Sequence, residues 1–253
     1  MRPSFQTRLV RTESVHVHLY LNRYKGNDKI WRVGEVDGNP GNYAIHGEIQ
    51  HPIGSGPRHI RVRGDRPHNL FRRLLLIDPA PDNLLYTLHE LSNTLTLQVV
   101  PSYPNGTSQI ISNVSIIPAD PPAGAGFKAA EILIPELTEE YPTQYIYTSN
   151  RNFGTRDPRG DTIAIFQNVN NQLVLRNQVY TGLQRIRGMM TGEQAGNGSE
   201  AYIVAGSDTG TTGVKVFKRT ECGGANLEEV AANSVIPTRE TFVWLNQSQM
   251  LQY

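Results

Sequence analysis

Three segments of this chain repeat one pattern: 85–99 (LYTLHELSNTLTLQV), 145–166 (YIYTSNRNFGTRDPRGDTIAIF) and 201–217 (AYIVAGSDTGTTGVKVF). Each is a short apolar strand, a polar turn and a second strand with alternating apolar residues. A hairpin recurring every ~50–70 residues marks a repeat architecture, because one such unit cannot bury its apolar face alone. Radial stacking of these units predicts an all-β propeller of four-stranded blades. The turn ends of the hairpins then gather around a central channel. In this register Glu90, Arg151 and Gly206 occupy equivalent places, so the repeats keep a scaffold and vary its chemistry.

The rest of the chain fits the same unit of inner strand, hairpin and outer strand. Residues 15–33 read as two strands around a Lys-Gly-Asn-Asp turn, and 44–50 as an outer strand. Residues 58–63 (RHIRVR) alternate as an inner strand would. Inner strands are also expected over 129–134 and from Ile186, outer strands over 109–117, 173–180 and 227–233, and a closing strand over 239–245. The stretch 119–127 (ADPPAGAGF) links two blades. Residues 66–83 break the rhythm and read as an atypical insertion, and residues 1–14 as a frayed start. The pattern gives about four to five blades in a single domain over 1–253, fewer than the seven of many propellers.

Composition narrows the function. A net charge of +1 and no basic stripe beyond Arg72–Arg73 exclude a nucleic-acid role. No apolar run reaches the ~18 residues of a membrane span, and no signal-like segment follows Met1, so a cytoplasmic location is expected. Cys222 is the single cysteine, so no internal disulfide forms, and its TECGGAN setting reads as a turn. There is no GxSxG elbow, HExxH, Walker loop or dinucleotide fingerprint. Asp157, Asp161 and Asp208 lie in turns with no calcium-loop spacing. Neither metal nor cofactor is expected.

Four pieces together resemble the lactonase family of seven-bladed β-propellers: GPRHI (56–60), LYTLHELSNTLTL (85–97), QYIYTSNRNFGTRDPRGDTIAIF (144–166) and GTTGVKVFKRT (210–220). The likeness spans roughly residues 40–245 and includes both bacterial 6-phosphogluconolactonases and fungal carboxy-cis,cis-muconate cyclases. It implies an incomplete seven-bladed ring, shortened at the N-terminal side. It also implies a small anionic lactone or dicarboxylate as substrate, with Arg58, Glu90 and Arg151 as the substrate-binding and catalytic groups.

The residues themselves allow that chemistry. A guanidinium offers a planar fork of donors to a carboxylate, phosphate or lactone carbonyl. Arg58 precedes an inner strand, and Arg151 ends the counterpart of the strand that Glu90 ends. Glu90 closes an apolar run, where a carboxylate serves as general acid or base. His59 and His89 flank these groups; strand alternation turns them toward neighbouring blades, leaving them as secondary substrate contacts. Arg187 echoes Arg58 in another blade. Hydrolysis of a 6-phosphogluconolactone-type substrate is the leading expectation, and muconate lactonisation the alternative. A non-enzymatic binding propeller, or an inactive shortened member, is the rival. The enzyme reading needs Glu90 within one small substrate's reach of an arginine.

Overall fold

The computed structural model describes residues 7–12, 15–21, 28–36, 41–63, 83–192, 198–209, 213–236, 242 and 244. Sixteen strands among them form four four-stranded antiparallel sheets, each built from strands consecutive in the chain. Sheet 1 holds β1 (Thr7–Thr12), β2 (Val15–Leu21), β3 (Lys29–Glu35) and β4 (Tyr43–Gln50). Sheet 2 holds β5 (Pro57–Arg63), β6 (Leu84–His89), β7 (Thr94–Val99) and β8 (Ile110–Ser115). Sheet 3 holds β9 (Phe127–Leu133), β10 (Tyr145–Asn152), β11 (Thr162–Val169) and β12 (Gln172–Tyr180). Sheet 4 holds β13 (Gln184–Thr191), β14 (Tyr202–Thr209), β15 (Val214–Thr220) and β16 (Asn226–Asn233).

These are the predicted blades, nearly strand for strand. Over Thr7–Thr12 the frayed start is replaced by β1, whose backbone pairs with β2. The insertion at 66–83 lies, but for Asn83, outside the described residues. So does the closing strand over 239–245, apart from positions 242 and 244, where no strand forms. The chain divides into two compact units. Unit 1 is Met1–Ser115 with Asn170–Gln172, and unit 2 is Ile116–Val169 with Leu173–Tyr253.

In sheets 2 and 3 the second strand is the most enclosed. All of Leu84–His89 and all of Tyr145–Asn152 are buried, as expected of strands covered on both faces. In unit 1, Ile30 and Ile49 of sheet 1 pack on Ile60 and Leu85 of sheet 2. In unit 2, Tyr147, Ile163 and Ile165 of sheet 3 pack on Ile186, Ile203 and Phe217 of sheet 4. Burying each such side chain stabilises by ~1.5–3 kcal/mol.

The polar end of β10 is buried because its partners are built in. Asn150 donates from Nδ2 to Thr162 Oγ1 at 2.8 Å and accepts from the Thr162 amide at 3.1 Å. Asn152 Oδ1 accepts from the amides of Gly126 and Gly154, both at 2.9 Å. Gly154 allows a close crossing of chains: a Cβ there would lie 2.1 Å from the Gly124 carbonyl oxygen. Backbone cannot yield as a flexible side chain does, so Gly154→Ala is expected to cost about 1–3 kcal/mol. Thermal unfolding of the variant checks this; an unchanged melting temperature would contradict it.

Candidate active site

In unit 1 the site begins with a β-bulge. Pro57 pairs with His89 and His59 with Leu88, which leaves Arg58 as the extra residue of β5. A bulge re-aims a side chain that regular pleating would turn elsewhere. Arg58 Nη1 meets Glu90 Oε2 at 3.2 Å, with side-chain exposures of 7% and 20%. Such shielding strengthens the attraction relative to an exposed pair. The structure therefore brings together Arg58 and Glu90, which the sequence places 32 residues apart.

The loop that carries Arg58 is fixed by Asp28, at the entry to β3. The Asp28 carboxylate accepts from the Gly54 amide at 2.7 Å and the Gly56 amide at 2.8 Å. Burial disfavours its ionisation, but the Gly56 and Gly54 amides outweigh this and hold its pKa below the usual carboxylate value. Gly56 has φ +60°, a left-handed conformation that glycine adopts freely. The Gly56 carbonyl accepts from the Glu90 amide at 2.7 Å, so one loop positions both members of the ion pair.

Behind the pair lie two histidines. His89 is fully buried; its ring centroid is 5.1 Å from that of His51, and its Nε2 is 2.9 Å from Thr96 Oγ1. Burial, and for His89 also the neighbouring His51, lowers their pKa values to about 4 for His51 and about 3 for His89. His89 is thus enclosed, against His51 and Thr96. His59, 7% exposed, is enclosed as well.

Unit 2 repeats the bulge register. Ala129 pairs with Asn150 ahead of a bulge, and Ile186 pairs with Ser207 ahead of another. The residue after the paired one on the first strand is Arg58, Ala130 or Arg187; on the second strand it is Glu90, Arg151 or Asp208. The third equivalent is thus Asp208, not Gly206. The echo between Arg58 and Arg187 becomes a structural one: Arg187 lies 3.9 Å from Asp208, which also pairs with Arg185 at 3.1 Å.

The clamp recurs too. Asp161, at the entry to β11, accepts from the Arg185 amide at 2.5 Å and from the Asn152 amide at 3.2 Å. Arg185 stands two residues before Arg187, as Gly56 stands two before Arg58, and its φ is +58°. Burial raises the Asp161 pKa to about 6 against the opposing pull of these amides. Arg151 is buried, donates to the Ala129 carbonyl at 3.4 Å and lies 5.5 Å from the Phe153 ring centroid. The turn aspartates have other partners: Asp157 pairs with Arg159 at 2.7 Å. Among the described residues no group of three His, Cys, Asp or Glu side chains is placed to hold a metal. None of their helices is long and apolar enough to cross a membrane.

Sequence reasoning missed Asp28, His51, Phe153 and Arg185. A signal for the clamp does exist: an acid directly before a blade's third strand, as in Asp28-Lys29 and Asp161-Thr162.

Four-stranded antiparallel sheets repeating in chain order, with chemistry set at one bulge register, define a β-propeller. The family model described as lactonase, 7-bladed beta-propeller, matches residues 17–244, and the chain belongs to that family. No curated protein matches it in sequence. A solved protein from Lactobacillus plantarum is similar, with TM-score 0.65 and 19% identity over 94% of this chain and 57% of that one. A candidate 6-phosphogluconolactonase from Bacteroides uniformis gives 0.61 and 20%, over 94% and 57%. The periplasmic gluconolactonase of Pseudomonas aeruginosa gives 0.57 and 12%, over 95% and 69%. The chain spans little more than half the length of the first two, and its described residues form four blades against the family's seven.

Proposed function

We propose that this chain is a cofactor-independent lactonase acting on a small anionic sugar lactone of the phosphogluconolactone type. The observation that carries the reading is the shielded Arg58–Glu90 pair at 3.2 Å. Membership of the lactonase family and the likeness to gluconolactonase folds support it. As the carboxylate of an ion pair Glu90 carries no proton to give, so its part in the first step is that of general base on a water molecule. The hydroxide adds to the lactone carbonyl carbon, and Arg58 stabilises the oxyanion that forms. The ring C–O bond then breaks, and the proton held on Glu90 returns to the departing alkoxide. The net change is addition of one water, which requires no redox partner.

The test is hydrolysis of a panel of phosphorylated and unphosphorylated sugar lactones, with a muconolactone included, by the full chain and by Arg58→Gln. The wild type is expected to turn over at least one lactone. Arg58→Gln is expected to lose about 10²–10³-fold in kcat, the effect of removing one oxyanion donor. A wild type no faster than the uncatalysed reaction on every lactone would remove the proposal.

A further inference from the structure

The two copies of the bulge device differ at one informative place. Gly56 in unit 1 and Arg185 in unit 2 fill the same backbone role. Each has a left-handed φ, +60° and +58°, and each amide is held by a clamp aspartate. Glycine fills that role without strain. A residue with a Cβ is destabilised there by ~1–2 kcal/mol. Strain retained where glycine would suffice points to work done by the side chain.

The Arg185 side chain has a defined setting. Its guanidinium lies 4.5 Å from the centroid of Phe153, a ring left 48% exposed. Lys128 places its ammonium 5.6 Å, and the buried Arg151 its guanidinium 5.5 Å, from the same centroid. Asp208 engages Arg185 at both Nε, 3.1 Å, and Nη2, 3.2 Å, which fixes the guanidinium and turns its Nη1 side to the ligand while the side chain stays 35% exposed. Beside this group opens a cavity of about 130 Å³, lined in part by Asn152, Phe153, Arg156 and Arg185 and by two carboxylates, Asp157, which is paired with Arg159, and Asp161, which is held by the Arg185 and Asn152 amides. That volume takes several waters or one oxyanion group. A guanidinium stacked on an aromatic face directs its N–H edge sideways, the geometry that recognises carboxylate and phosphate.

We propose that this cavity is a second ligand site, which binds the phosphate or carboxylate group of a small metabolite through Arg185 held against Phe153. The site is built within unit 2 and does not rest on the hydrolytic reading of Arg58 and Glu90. Asp208 is its internal counter-charge, standing where Glu90 stands in unit 1.

Calorimetric titration of the full chain with inorganic phosphate, and separately with gluconate, tests it. Saturable binding of either anion is expected, and the stronger of the two identifies the recognised group. Arg185→Gln is expected to weaken that binding at least tenfold. Arg185→Gly is the decisive variant: glycine suits the left-handed backbone, so its melting temperature should hold or rise while binding falls at least tenfold. Glu90→Gln should bind the anion within about twofold of wild type, which separates this site from the proposed hydrolytic one. Absence of saturable binding to both anions, wild-type binding by Arg185→Gly, or loss of binding in Glu90→Gln would each overturn the proposal.

Discussion

Glu90→Gln is expected to lower kcat for lactone hydrolysis by about 10²–10⁴-fold, the usual weight of a positioned general base. The amide keeps the shape of the carboxylate but cannot accept a proton from water. KM should move much less, because Arg58 remains to hold the substrate. The fold should survive: the pair is partly exposed, and the Glu90 backbone is held separately, by its amide bond to the Gly56 carbonyl at 2.7 Å. Steady-state kinetics beside a thermal melt would separate the two effects. Equal kcat in variant and wild type would remove Glu90 from the mechanism.

Acidification should unfold unit 1 before unit 2. His51 and His89 have folded pKa values of about 4 and about 3, against an ordinary histidine value of 6.5. A histidine held neutral in the fold gives no penalty above pH ~6.5, where both states are neutral. Below that, the unfolded chain binds protons the folded chain refuses, so stability falls with pH until the folded values are reached. By pH 5 the loss is roughly 2 kcal/mol for each histidine. Asp28 acts in the same direction, since its folded pKa is lowered and its contribution disappears on protonation. Asp161 acts oppositely: with a folded pKa raised to about 6, protonation relieves a buried charge. Hydrogen exchange read strand by strand between pH 7 and pH 4.5 checks this. Protection of β3–β6 should be lost before that of β10–β14, and a His51→Phe, His89→Leu double variant should lose most of the slope. A stability of unit 1 that is flat from pH 6.5 to pH 5 would refute the account.

The blade repeat was legible because it is written in local terms. The strand, turn and strand of 85–99 and 145–166 need nothing but alternation and turn residues to be seen. Arg58 and Glu90 were singled out by the family resemblance, each at the end of a recognisable strand, but their pairing was not read. What could not be read is pairing register. Whether Arg58 lies inside a regular ladder or bulges from it depends on partners across the sheet. The same uncertainty moved the third equivalent of Glu90 from Gly206 to Asp208, two residues along. The apolar run at Leu84–His89 reads correctly as an enclosed strand, covered on both faces. The clamps by Asp28 and Asp161 reach amides 28 and 24 residues away, so an acid before a third strand marks the carboxylate of the clamp but not the amide it holds.

Each clamp aspartate directly precedes the third strand of one sheet, and the amide it holds lies at the start of the first strand of the next, Gly56 just before β5 and Arg185 as the second residue of β13. A strand peeling from its own sheet leaves that bond intact, whereas separation of the two sheets breaks it. The Gly56 and Arg185 amides are therefore natural gauges of cooperativity. Their exchange rates measure how often neighbouring blades part company, independently of fraying at strand edges. If they exchange only with global unfolding, the pair of blades, not the single blade, is the smallest piece of this architecture that stands or falls as a whole.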